Sequence, residues 1–225
     1  MSFIPPITKC GSLCIQTLQY NMLPVNTYVV WDDTKEAVVI DPGCYYSGEG
    51  EHLCGYIRQN GLTVRHLLNT HQHFDHVFGN PVVEQAFGIH AEGHAADRQW
   101  IIDLPGRLAA FGMKFNTIVE PIMPENYIDE GDRIEFGHSV FEILHVPGHS
   151  PGSIAFYCRE ANALFTGDAL FRESIGRTDM EDGDHDALIN AIRNKLAVLP
   201  DETIVFPGHG PYTTIRHEKD CNPFI

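Results

Sequence analysis

Between Thr70 and His76 the chain reads Thr-His-Gln-His-Phe-Asp-His, three imidazoles and a carboxylate in one short run. Imidazole nitrogens and carboxylate oxygens are the donors that a borderline divalent metal such as zinc takes well. In an extended loop alternate residues project to one side, so His71 and His73 can share one metal while Asp75 and His76 reach a second. For this string alone a solvated, His-rich loop is the alternative. Further donors sit in the turns Pro147-Gly148-His149, Thr166-Gly167-Asp168 and Pro207-Gly208-His209.

The elements that must position these turns read as short strands and a few helices. Leu13–Leu18, Asn26–Trp31 and Ala37–Ile40 are expected strands, the last running into Asp41-Pro42-Gly43, either an acid presented to a site or an ordinary turn. A helix over 51–60 stops at Asn60-Gly61, and a buried strand over 64–69 leads directly into the His motif. That places the motif at a strand's C-terminal end, the usual edge for active sites in layered α/β folds. Asn80 to Phe87 reads as a helix. Hairpins are expected over 133–146 and 153–165, then a helix over 184–199 capped by Asp184, then a strand over 203–206. Trp100, Leu104, Leu108, Phe111 and Phe115 fall at helical spacing interrupted by Pro105-Gly106, which predicts two short helices. We read this stripe as core packing, with an apolar flap over the metals, within residues 95–125, as the alternative.

The bulk properties narrow the classes. The 225 residues, 43% hydrophobic, suit a single domain over 1–225, with no linker, repeat or low-complexity tract. No apolar run approaches the roughly 18 residues of a membrane span. The start, Met-Ser-Phe-Ile-Pro-Pro, lacks the basic flank and apolar run of a secretion signal, so a soluble cytoplasmic protein is expected. Six cysteines without a Cys-x-x-Cys pair fit reduced thiols rather than a disulfide framework. A net charge of −15 disfavours nucleic acid and anionic membranes, while bound cations would leave room for a small anionic substrate.

Taken in order, His-x-His-x-Asp-His, Pro-Gly-His-Ser, Thr-Gly-Asp and Pro-Gly-His resemble the metallo-β-lactamase superfamily. Gly176-Arg177-Thr178-Asp179 and the tail from Thr213 to Phe224 are similar to its glyoxalase II-like branch, the hydroxyacylglutathione hydrolases, in the short form without a C-terminal helical domain. The resemblance implies a four-layer αββα sandwich of the α/β class. It also implies two divalent metals, zinc with iron or manganese as alternatives. His71, His73 and His149 would hold the first, Asp75, His76 and His209 the second, and Asp168 would bridge them, Asp75 and Asp168 being the catalytic carboxylates. Asp41 would support the site from behind, and Thr70 and Gly148 would be structural. The implied reaction is hydrolysis of a small thioester such as S-lactoylglutathione by a metal-bridging hydroxide, which a metal makes available near pH ~7.

Arg177 is the candidate contact for a substrate carboxylate, a buried salt bridge to Asp179 being its alternative role. His90, His94, His145 and His185 are expected at the surface or in support of ligands rather than as ligands. Two other activities are weighed. The persulfide dioxygenases of the same superfamily hold one iron on two His and one Asp, but their last motif departs from Pro-Gly-His-Gly. Common zinc β-lactamases place Cys where this chain has Asp168. A non-catalytic metal-binding protein is the remaining alternative, against which the full ligand set counts.

Overall fold

The computed structural model describes residues 6–110, 112 and 126–225, and two sheets packed face to face dominate it. The first sheet runs in sequence order through β1 (Thr8–Cys10), β2 (Leu13–Tyr20), β3 (Val25–Trp31), β4 (Glu36–Ile40), β5 (Thr63–Leu68), β6 (Ala91–Gly93) and β7 (Asn126–Tyr127). Its first four strands pair antiparallel, and β4 through β7 pair parallel. The second sheet contains β8 (Arg133–Phe136), β9 (Ser139–His145), β10 (Ile154–Cys158) and β11 (Ala163–Gly167). After a small hairpin of β12 (Leu170–Phe171) and β13 (Ser174–Ile175), β14 (Ile204–Pro207) and β15 (Thr213–Thr214) complete it, in the order β15-β14-β11-β10-β9-β8.

Period-2 alternation sorts the side chains into three apolar layers. Tyr28 and Val30 of β3, Val38 and Ile40 of β4, Phe156 of β10 and Phe165 of β11 meet between the sheets. Their neighbours Val29, Trp31 and Val39 face outward onto Leu53 and Ile57 of α1 (Glu49–Gln59). On the far side, Ala155, Tyr157 and Leu164 meet Leu188 of α6 (His185–Ala191), and Ile192 and Leu196 in the π-helical segment Ile192–Leu196 that follows. The result is the expected αββα sandwich. The remaining helices are α2 (Phe74–Val77), α3 (Asn80–Phe87), α4 (Arg98–Ile102), α5 (Leu104–Ala110) and α7 (Ile215–Cys221).

Several expected bounds shift. The first strand runs on to Tyr20, and the helix after Asp184 widens to π geometry at Ile192. Asp184 caps that helix as expected, accepting from the Ala187 amide. The break between α4 and α5 falls at Asp103, so Pro105 lies in the first turn of α5, where its missing N–H costs nothing. Leu104 and Leu108 pack on Phe74 and Phe78, which bears out core packing for that part of the stripe; Phe111 and Phe115 lie outside the described residues.

Asp32 and Asp41 lie at opposite ends of the antiparallel β3–β4 pair. The buried Asp32 accepts from the Thr34 hydroxyl at 2.5 Å, the His138 amide at 2.6 Å and the Ser139 hydroxyl at 3.0 Å, tying the first sheet to the β8–β9 turn of the second. Burial pushes its carboxyl up, but these hydrogen bonds outweigh burial and hold it below the usual carboxylate range. Asp32→Ala strands the His138 and Ser139 donors and is expected to cost about 2 kcal/mol at neutral pH in urea unfolding. Because the folded-state pKa is the depressed one, the deficit should be full above pH ~4 and shrink as pH falls through the carboxylate range.

Candidate active site

At the opposite edge β4, β5, β11 and β14, and the loop after β9, deliver Asp41, the His71–His76 segment, Asp168, His209 and His149. All seven residues expected as ligands converge there. Donor atoms of His71, His73 and His149 lie within 4.8 Å of one another, as do those of Asp75, His76 and His209. His149 Nε2 is 2.9 Å from His73 Nδ1, and His209 Nε2 is 3.3 Å from His76 Nε2 and 3.5 Å from Asp75 Oδ2. Asp168 faces both groups, Oδ1 being 3.4 Å from His76 Nε2 and Oδ2 3.6 Å from His149 Nε2. One expectation is corrected. Asp75 and His76 do not continue an extended loop but occupy α2, whose first turn favours an acid.

Asp41, in the left-handed region at φ 48, supports the site from behind. Its carboxylate accepts from the Thr70 amide at 2.8 Å, the Thr70 hydroxyl at 2.6 Å and His76 Nδ1 at 3.0 Å. With its proton given to Asp41, the Thr70 hydroxyl can accept from His71 Nδ1 at 3.1 Å. Asp41 therefore orients His76 directly and His71 through Thr70, leaving each Nε2 free to face the centre. His149 is fixed in the same way, its Nδ1 donating to the Arg177 carbonyl at 2.9 Å. The sequence placed Thr70 in a structural role and gave no sign of this relay.

Burial, with the neighbouring imidazoles, holds His71 and His73 well below the ordinary histidine range, so both are neutral donors. Burial acts downward on His76 and His209 too. The carboxylates of Asp168 and Asp75 outweigh it, raising His76 to about 9 and His209 to about 11, and Asp168 is correspondingly held down. His71 Nε2, His73 Nε2 and Asp168 Oδ1 are buried without a hydrogen-bond partner. Buried polar atoms rarely stay unpaired, and two converging His/Asp sets that contain such atoms fit divalent metal ions. Gly208 keeps the edge open, since a Cβ there would collide with Asp168 Oδ1.

A cavity of about 290 Å³ opens onto these groups, lined by Leu23, Phe74, Trp100, Met180 and Arg177 together with His73, Asp75, His149, Asp168 and His209. Trp100 was expected as packing, yet its indole lies against the His73 ring at 4.0 Å between centroids. Arg177 forms a bidentate pair with Asp179 at 2.8 and 3.0 Å, exposed rather than buried because both residues stand at the rim. His90 and His185 are exposed as expected. His94 and His145 stack at 4.5 Å beside Asp129, but both His94 nitrogens are committed, Nδ1 to the Ala96 amide and Nε2 to Asp129.

Fold and site together define a metallo-hydrolase, and residues 20–209 match the family model described as the metallo-beta-lactamase superfamily. The chain belongs to that superfamily. It is 39% identical over 213 residues to the hydroxyacylglutathione hydrolase GloC of Haemophilus influenzae, a match covering 94% of this chain and 97% of that protein. Among solved structures it is similar to BLEG-1, described as a B3 metallo-beta-lactamase (37% identity, TM-score 0.84, 93% of this chain and 98% of that one). It is similar also to TTHA1623 in a di-iron-bound form (37% identity, TM-score 0.82, 93% and 99%).

Asp41→Ala removes the acceptor shared by Thr70 and His76. It should weaken zinc binding by about 10–100-fold in chelator competition while leaving the far-UV circular dichroism unchanged.

Proposed function

We propose that this protein is a two-metal hydrolase of small anionic thioesters such as S-lactoylglutathione. The observation that carries the reading is the complete second donor set. Asp75, His76 and His209 stand beside His71, His73 and His149, with Asp168 facing both. In this reading the first trio and the second trio would each hold one ion, and Asp168, which faces both, would serve the two. Divalent ions in such sets make hydroxide available near pH ~7 and polarise a carbonyl oxygen. Zinc is the ion we assign; iron and manganese suit the same donors, and the di-iron form of TTHA1623 supports iron as the competitor. The single iron of a persulfide dioxygenase would leave the second trio without a purpose.

The chain's own groups do the rest. Asp75 lines the cavity, where its carboxylate can take up the proton that a water loses, while Asp168, held below the usual carboxylate range, stays ionised. Leu23, Phe74, Trp100 and Met180 wall the cavity with apolar surface, seating the thioester and limiting bulk water. Arg177 is the only Lys or Arg among the described lining residues, and its exposed pairing with Asp179 is weak enough for a substrate carboxylate to displace. The similarity to GloC supports a hydroxyacylglutathione thioester in particular, and BLEG-1 puts β-lactams on the same assay panel. Among the described residues no helix is long and apolar enough to cross a membrane, in keeping with the cytoplasmic location we assign.

Elemental analysis of gently purified protein should find close to two metals per chain, and turnover should appear on thioesters before β-lactams. A fully metallated preparation inactive on a thioester panel would falsify the substrate assignment, and one iron per chain would move it to persulfide oxidation. Asp168→Ala should lose metal and nearly all turnover while the chain still folds; retained turnover rules out the bridging role. Arg177→Gln should raise KM about tenfold for a carboxylate-bearing thioester and leave an uncharged one little changed.

A further inference from the structure

Asp97 closes the short 3-10 turn Ala95–Asp97 that follows β6, and it is wholly buried. Its Oδ2 accepts from the Gln72 amide at 3.0 Å and from the Ser150 hydroxyl at 2.8 Å, and its Oδ1 accepts from the Gly152 amide at 2.6 Å. Gln72 lies between His71 and His73, and Ser150 directly follows His149. The first trio is drawn from two loops, one after β5 of the first sheet and one after β9 of the second, and this carboxylate grips both. Gly152 permits the approach, since a Cβ there would stand 2.6 Å from Asp97 Cγ. None of the three hydrogen bonds reaches the loop bearing His209 or the segment from Asp75 to His76.

We propose that Asp97 is a positioning residue for the first metal alone. It sets the separation between the His71–His73 loop and His149, and it adds negative charge directly behind them. A buried carboxylate held only by neutral donors is costly by itself. A cation in the adjacent trio offsets that cost, so Asp97 and the first metal stabilise one another. Asp41 differs from it in serving His76 and His71, one in each trio. The inference rests on the two-metal reading above.

The test is titration of metal-free protein with Zn2+ against a chromophoric chelator, His149→Ala and His209→Ala serving to label the two binding events. Asp97→Asn should weaken the His149-labelled event about 10–100-fold and leave the other within about twofold. Ser150→Ala, which removes one donor and leaves the carboxylate, should move the same event in the same direction by less. Equal weakening of both events, or of neither, overturns the assignment. The melting temperature of the metal-free protein separates this from general destabilisation. Should Asp97→Asn fail to fold, Ser150→Ala decides alone by the same criterion. Fewer than two zinc ions on the unaltered protein would overturn the two-metal reading itself, and the role of Asp97 with it.

Discussion

The aim of His71 and His76 at the active edge depends on Asp41 accepting three hydrogen bonds at once, two from Thr70 and one from His76. The first sheet ends there in a buried negative charge, which needs partners to remain in the interior. Two of its donors lead to imidazoles, so satisfying the carboxylate also aims the ligands. The second sheet is brought to the same place from β3. Asn26 Nδ2 donates to the carbonyls of Pro207 and Gly210, and the Tyr28 hydroxyl to Pro207, holding the loop that carries His209.

The opposing titration behaviour of the histidines follows from that layout. His71 and His73 have imidazoles for neighbours and stay neutral, whereas His76 and His209 lie among carboxylates and keep a proton readily. A nitrogen must be unprotonated to bind a cation, so in the two-metal reading His76 and His209 would each release a proton on binding, where His71 and His73 would not.

Much of this was readable before any coordinates, because side-chain type and strand ends carry the signal. The His motif, the three donor turns and the apolar runs of β3, β4, β10 and β11 all appear as local patterns. Features set by tertiary contact were not readable. The four residues of α2 are too few to show periodicity. Arg177 beside Asp179 suggests an ion pair but not its exposure. Trp100 falls on an apolar stripe, and only the folded packing sets its ring against His73 and under the Arg107 guanidinium. Asp97, within Ala-Ala-Asp-Arg, resembles any acid at a helix start, and its partners lie far away in sequence at Gln72, Ser150 and Gly152.

The Asp32 tie at the far end has a bearing on how such a protein would age. The sandwich behaves like a clasped book, bound along its spine by Asp32 and the β8–β9 turn and fastened at its fore-edge by the loops around the metals. Loss of cations removes only one of the fore-edge fastenings, since Tyr28 still holds Pro207 and Asp97 still joins Gln72 to Ser150, so the leaves stay in register. A chain stripped of its ions is then positioned to be reloaded rather than refolded.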